Sequence, residues 1–245
     1  MSDGSDRDRL YTDRKTTAGD FVFDDTVAAV FPDMIQRSVP GYPAIVNMIQ
    51  LLAERYAQPG SALIDLGCSL GASTVALANG AGDLACSVVG VDNAQAMLDR
   101  AVSLTADSHP QISWRCSDIR DVDIRDASVV VMNFTLQFLP KPDRLPLLRR
   151  ILDGLRPGGI LILSEKIAGD DVRSDELLTN MHHAFKRANG YSDLEIARKR
   201  SALENVLIPE QLGMHRQRLR EAGFERTDLW FQCFNFVSLV ACKGD

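Results

Sequence analysis

The chain has 245 residues, 45% hydrophobic and 24% charged, which is long enough for one large α/β domain with a full core. No apolar run reaches the roughly 18–20 residues that span a bilayer, and the polar N-terminal 20 residues have no apolar stretch of a secretory signal. The net charge of −6 argues against a nucleic-acid backbone as direct partner, although a basic stretch from Lys186-Arg187 to Arg198-Lys199-Arg200 leaves that open.

Residues 1–20 read as a disordered or loosely attached tail. Helical patterns over 24–37 and 42–56 follow, divided by Pro40-Gly41. The period then changes. Ala62-Leu63-Ile64-Asp65-Leu66 is a short apolar run ending at a glycine and reads as a buried strand. A helix over 71–79, a strand over 87–92, a helix over 94–106 and strands over 112–116 and 128–133 come next. A helix over 144–155 stops at Pro157-Gly158-Gly159, before a strand over 160–165. Strands that are apolar throughout and alternate with helices indicate a parallel sheet covered on both faces. The charged helical stretch 172–206 interrupts this alternation and reads as an inserted cap. A helix over 209–222 ends at Gly223, and strands over 224–230 and 234–242 form an antiparallel edge hairpin. The expectation is a mostly parallel, seven-stranded α/β sheet within one domain over 21–245, with N-terminal helices over 21–58.

The candidate chemistry sits at the strand ends. Asp65-Leu66-Gly67-Cys68-Ser69-Leu70-Gly71 joins the first strand to its helix. Glycines there let the backbone approach a ligand, and the helix start offers free N–H groups. Asp92 ends the second strand, where a carboxylate can accept both hydroxyls of an adenosine ribose. Asp118-Ile119 follows the third strand, within reach of an adenine amino group, and Asn133 ends the fourth. Each signal has a plain structural alternative. The glycines suit a tight turn, Asp92 a helix N-cap, Asp118 a turn and Asn133 a strand end. Together they mark the carboxyl-end crevice where open α/β sheets bind ligands. Gly67-Cys68-Ser69-Leu70-Gly71 also fits the G-x-S-x-G elbow of a hydrolase, with Ser69 as nucleophile and His182, His183 or His215 as base. Against this, the histidines lie in helical segments and the motif follows the first strong strand.

The five cysteines (Cys68, Cys86, Cys116, Cys233, Cys242) form no CxxC pair and have no histidine at ligand spacing. They read as free, mostly buried thiols suited to a reducing cytoplasm. The adjacent His182 and His183 point apart on a helix, so no metal is expected.

The set Asp65–Gly71, Val91-Asp92-Asn93, Asp118-Ile119-Arg120-Asp121 and Arg156-Pro157-Gly158-Gly159 resembles class I S-adenosylmethionine (SAM)-dependent methyltransferases, which have a Rossmann-like fold. Longer stretches resemble one branch. They run from Val30-Phe31-Pro32-Asp33 to Pro40-Gly41-Tyr42, over Asn133-Phe134-Thr135-Leu136-Gln137-Phe138-Leu139 and Leu163-Ser164-Glu165-Lys166, from His182-His183-Ala184-Phe185 to Gly190-Tyr191-Ser192, and over 229–236. These are similar to the carboxy-S-adenosyl-L-methionine (carboxy-SAM) synthase family, from about residue 20 to 243. Ser117 stands where the family has glycine, and Phe21 where it has tryptophan.

The resemblance implies a transfer of a carboxyl carbon rather than a methyl. SAM and prephenate would give carboxy-SAM and phenylpyruvate, and a separate enzyme would use the product to carboxymethylate a hydroxylated wobble uridine of tRNA. The positive sulfur acidifies the methyl, and the ylide captures the carbon dioxide released as prephenate aromatises. A closed, dry pocket keeps water from reprotonating the ylide. By the same resemblance Gly67, Cys68 and Ser69 line the methionine part of SAM. Asp92 and Asn93 hold the ribose and adenine edge, Asp118 and Ile119 the adenine, and Asn133 lies near the sulfonium. Tyr42 reaches over the SAM, and Arg200 takes the new carboxylate through a two-pronged bond. A homodimer is implied as well. No residue stands out as catalytic base, and prephenate's own oxygen can serve. An ordinary methyltransferase acting on a small molecule or RNA, and a non-catalytic SAM-binding protein, are the competing readings.

Overall fold

The computed structural model describes residues 8, 10, 23–203 and 206–245. Two helices, α1 (Asp25–Ser38) and α2 (Tyr42–Tyr56), precede the sheet. Then come β1 (Ala62–Leu66), α3 (Ala72–Ala81), β2 (Ser87–Asp92), α4 (Gln95–Thr105), β3 (Ile112–Cys116), β4 (Ala127–Asn133), α5 (Lys141–Gly154) and β5 (Leu155–Ala168). The cap helices are α6 (Val172–Ala188) and α7 (Asp193–Leu203), followed by β6 (Glu210–Gln211), α8 (Leu212–Ala222), β7 (Arg226–Cys233) and β8 (Phe236–Cys242). The strand order is β3-β2-β1-β4-β5-β8-β7. β1 to β5 pair in parallel, and β8 pairs antiparallel with both β5 and β7. The expected seven strands are joined by an eighth, the two-residue β6, which pairs with the end of β5. Two residues carry no periodicity, so the sequence pattern did not reveal it.

Burial follows from composition. Every β4 residue before Asn133 is buried, as a central strand covered on both faces requires. One core packs α5 and α8 against the sheet through Leu147, Leu148, Ile151 and Leu219. The other packs α2 and α3 through Ile45, Ile49, Ala53 and Leu77. α1 caps its own start, with the Asp24 carboxylate accepting from Val27 N, and its apolar face joins Met97 of α4. β5 begins earlier than the sequence suggests. Leu155 already pairs with Ala127, the register breaks, and pairing resumes at Ile160 opposite Val129. Gly158 takes the positive φ (69°) that this irregularity needs.

Most of the expected loose tail lies outside the described residues. Asp8, which is described, is fixed rather than loose. It is buried, its N–H donates to Asp33 Oδ2 at 2.8 Å, and its carboxylate accepts from Tyr191 Oη. Arg37 ties the same corner together, donating to Asp33 Oδ2 at 2.9 Å and to the Asn189 carbonyl at 2.7 Å. Asp8, α1 and the cap thus meet at one corner. The cysteine expectation needs correcting. All five thiols are free, but only Cys68 is buried and Cys116 is exposed, because Cys116 ends an edge strand.

Candidate active site

A cavity of about 380 Å³ opens over the carboxyl ends of β1, β2 and β4, within the range of small-molecule sites. Nine of the ten residues singled out from the sequence line it: Tyr42, Gly67, Cys68, Ser69, Asp92, Asn93, Asp118, Ile119 and Asn133. Gly67 has φ 81°, and a Cβ there would lie 2.4 Å from two side-chain atoms of Thr135. Its N–H donates to the Val91 carbonyl at 2.8 Å. The loop continues through Ser69, itself at φ 49°, to Gly71 at φ 83°, where a Cβ would meet Trp114 at 2.3 Å. The backbone therefore forms a cradle that side chains would fill.

Asp92 fixes this cradle. Its Oδ2 accepts from Ser69 N at 2.8 Å and its Oδ1 from Ala94 N at 2.9 Å. Burial pushes its pKa up, and these backbone N–H bonds oppose that shift. A carboxylate offers about four lone-pair sites, so two remain for the hydroxyls of a ribose. Behind it Asp65 is fully buried and accepts from Thr74 Oγ1 at 2.7 Å. Burial pushes Asp65 up to about 7, with the Thr74 bond opposing and the Asp92 charge adding. Burial, and then the Asp65 charge, also push the Tyr42 phenol up, so that hydroxyl is a neutral donor over the cavity. Asp118 caps a 3-10 turn (Ile119–Asp121), accepting from Arg120 N at 2.8 Å. The Arg120 guanidinium holds its pKa low. Asn133 donates to Ser73 Oγ at 3.0 Å, leaving its Oδ1 as a buried acceptor without a partner among the described residues. A cradle shaped for close approach and an open acceptor fit the methionine end of SAM.

Arg200 is the exception. It is exposed on α7 and does not line the cavity of its own chain, whereas its neighbour Lys199 does. Successive helix positions are rotated by about 100°, so α7 can turn only one of the two inward. The elbow reading also fails on geometry. His182 bonds the Ser38 carbonyl at 2.8 Å, and both ring nitrogens of His215 are buried without a partner among the described residues. Neither of these, nor His183, bonds Ser69 among the described residues, the contact that a nucleophile needs.

The sequence reading missed the opposite wall. Phe31, Met34, Ser38, Gln137, Lys166, His182, Lys186 and Lys199 also line the cavity. On α6 the only buried side chains are His182 and Lys186, one turn apart. Buried Arg144 braces the adjoining wall. It donates to the carbonyls of Leu139 at 2.9 Å, Gln137 at 3.2 Å and Ile208 at 2.9 Å, and pairs with Glu210. Among the described residues no group of three or more His, Cys, Asp or Glu could hold a metal, and no helix is long and apolar enough to cross a membrane.

A family model described as a methyltransferase domain matches residues 63–159. Among solved structures, human N-acetylserotonin methyltransferase in complex with SAM aligns with a TM-score of 0.62 at 17% identity, over 90% of this chain and 56% of that one. Magnesium protoporphyrin IX methyltransferase from Synechocystis PCC 6803, with S-adenosylhomocysteine (SAH) bound, aligns with a TM-score of 0.59 at 17% identity, over 92% of this chain and 90% of that one. These likenesses establish the Rossmann-like class I methyltransferase fold. Sequence relatives reach further. The carboxy-S-adenosyl-L-methionine synthase of Geobacter sp. (strain M21) is 58% identical, over 91% of this chain and 93% of that protein. The enzyme of the same name from Aliivibrio fischeri (strain ATCC 700601 / ES114) is 53% identical, over 96% of this chain and 98% of that protein. With that identity along nearly its whole length, the chain belongs to the carboxy-S-adenosyl-L-methionine synthase family.

Proposed function

We propose that the chain converts SAM and prephenate to carboxy-SAM and phenylpyruvate, supplying the carboxymethyl donor for wobble-uridine modification of tRNA by a separate cytoplasmic enzyme. One observation carries the reading. The glycine cradle of a methyltransferase fold shares its cavity with residues of α1, α6 and α7, which cover it on the side away from the strand ends. An ordinary methyltransferase acting on RNA would need that crevice open to a macromolecule. In this reading Gly67, Cys68 and Ser69 hold the methionine part of SAM, Asp92 and Asn93 the ribose, Asp118 and Ile119 the adenine, and Asn133 the amino-acid end under Tyr42. The apolar lining by Phe31, Met34 and Phe134 excludes water while the methyl is a carbanion. The proton leaves the methyl, the new C–C bond forms to carbon dioxide, and the proton ends on the hydroxide that prephenate loses on aromatising.

The reading extends to a homodimer. Leu177 and Met181 of α6 and Leu194 of α7 are exposed large hydrophobics on the cap, a surface suited to a second copy. Arg200 lies on the same cap, so a partner copy could bring it to the carboxylate that its own chain keeps it from. The test of function is pure protein with SAM, with and without prephenate, read by mass spectrometry. Gain of one carbon dioxide on SAM only with prephenate is expected. Methyl transfer, or unchanged SAM with both substrates present, would reject it.

A further inference from the structure

The cavity is electrically divided. Its carboxylates, Asp92 and Asp118, stand at the strand ends and are bonded to backbone N–H groups or to Arg120. Its three lysines stand together at the other end: Lys166 of β5, Lys186 of α6 and Lys199 of α7. Lys199 has partners, donating to Ser38 Oγ at 2.9 Å and lying 3.6 Å from Asp8 Oδ2. Lys166 and Lys186 have no side-chain hydrogen bond or ion pair among the described residues, and Lys186 is only 7% exposed. A buried ammonium without a counter-charge is costly unless a ligand supplies one. Long amines are otherwise found with their heads in water, yet here they line the cavity.

We propose that Lys166 and Lys186, backed by Lys199, form the subsite that receives the carboxylates of the second substrate. It rests on the reading of the cavity as a chamber for SAM and a dicarboxylate. The electrostatics agree. Burial, and then the charges of Lys199 and Lys166, push Lys186 down to about 7, while Asp8 offsets this in part. Burial lowers Lys166 too, with Arg200 adding and Asp175 opposing. An anion seated among these amines reverses the repulsion and restores their ammonium forms. SAM carries a positive sulfur, and its ribose and adenine go to the carboxylates of the acidic end. A dianion brings the opposite charge, which the lysine end receives. The two substrates are thereby held in a fixed order along the cavity.

The test uses the full chain loaded with S-adenosylhomocysteine, which has no methyl to react, titrated with prephenate by calorimetry. In Lys166→Met and Lys186→Met, prephenate affinity is expected to fall by at least about tenfold, the scale of one charge-assisted hydrogen bond. Affinity for S-adenosylhomocysteine should stay within about twofold, which also reports that each variant is folded, and Lys186→Gln provides a second variant at that position. Unchanged prephenate affinity in all three variants, while the parent makes carboxy-SAM, would overturn the subsite and leave the function standing. If the parent binds no prephenate and makes no carboxy-SAM, the functional reading falls and takes the subsite with it.

Discussion

At the strand ends, the carboxylates that face the cavity are tied into the backbone. Asp92 accepts from two N–H groups and Asp118 caps a turn. In the cap, Lys186 faces the same cavity without a partner among the described residues, on a helix whose exposed positions include Leu177 and Met181. The carboxylates of the strand-end wall have their partners within the chain, and on the proposed reading the lysines of the cap wall take theirs from a ligand. On the proposed reading, the first wall holds the adenosine of SAM and the second sets the choice of the other substrate.

The largest effect should come from the strand-end wall. Asp92→Ala removes two charge-assisted bonds to the cradle and the ribose acceptor. Calorimetry should show SAM and carboxy-SAM affinity both falling about 100-fold, on the scale of ~3 kcal/mol. A loss confined to one ligand would break the comparison. Gly67→Ala puts a Cβ against Thr135 at positive φ, so SAM affinity should fall at least about tenfold and stability by ~1–3 kcal/mol, read by titration and by denaturant melts.

The cap wall should respond in the opposite sense. Lys186→Met relieves an unpaired buried charge, so the ligand-free protein should gain ~1–2 kcal/mol of stability at neutral pH. The pH dependence follows. Lys186 is pushed down to about 7 and Lys199 to about 8 when folded, whereas an unfolded lysine titrates near 10.4, about the free value. Between these values the unfolded chain binds more protons. Their contribution to stability therefore rises with pH through that window and levels off above it, by at most about 1.4 kcal/mol per pH unit per group. Urea melts from pH 7 upward should show this rise in the parent and a shallower one in Lys186→Met. The smallest effect is that of Arg200→Ala. It should weaken carboxy-SAM binding about tenfold and SAM binding little, because only carboxy-SAM carries the extra carboxylate. Equal loss for both would contradict that role.

The same division governed what the sequence disclosed. Strand-end residues announce themselves because each ends an apolar run: Asp92 after Val88-Val89-Gly90-Val91, Asn133 after Val129-Val130-Val131-Met132. Their location follows from topology alone. Lys166 follows the apolar run Ile160–Leu163 after Ser164 and Glu165, and that position near a strand end is its available signal. Lys186 and Lys199 lie in charged helical stretches where a lysine normally faces solvent. Only tertiary packing reveals that α6 buries its polar residues His182 and Lys186. The family resemblance points to Arg200, whereas within its own chain the neighbouring Lys199 lines the cavity. Neighbours on a helix look alike in sequence and differ by direction. Asp8 falls in a stretch with no pattern, and its burial depends on Tyr191 and Lys199, far along the chain.

The most direct measurement follows one carbon atom. Prephenate labelled with 13C at its ring carboxylate is mixed with SAM and the parent protein, and the nucleoside products are read by NMR and mass spectrometry. The expected result is label in a new carboxylate on the former methyl of SAM, with unlabelled phenylpyruvate formed in equal amount. Label lost to solution as carbon dioxide with SAM unchanged, or a methyl group transferred elsewhere, would contradict the account.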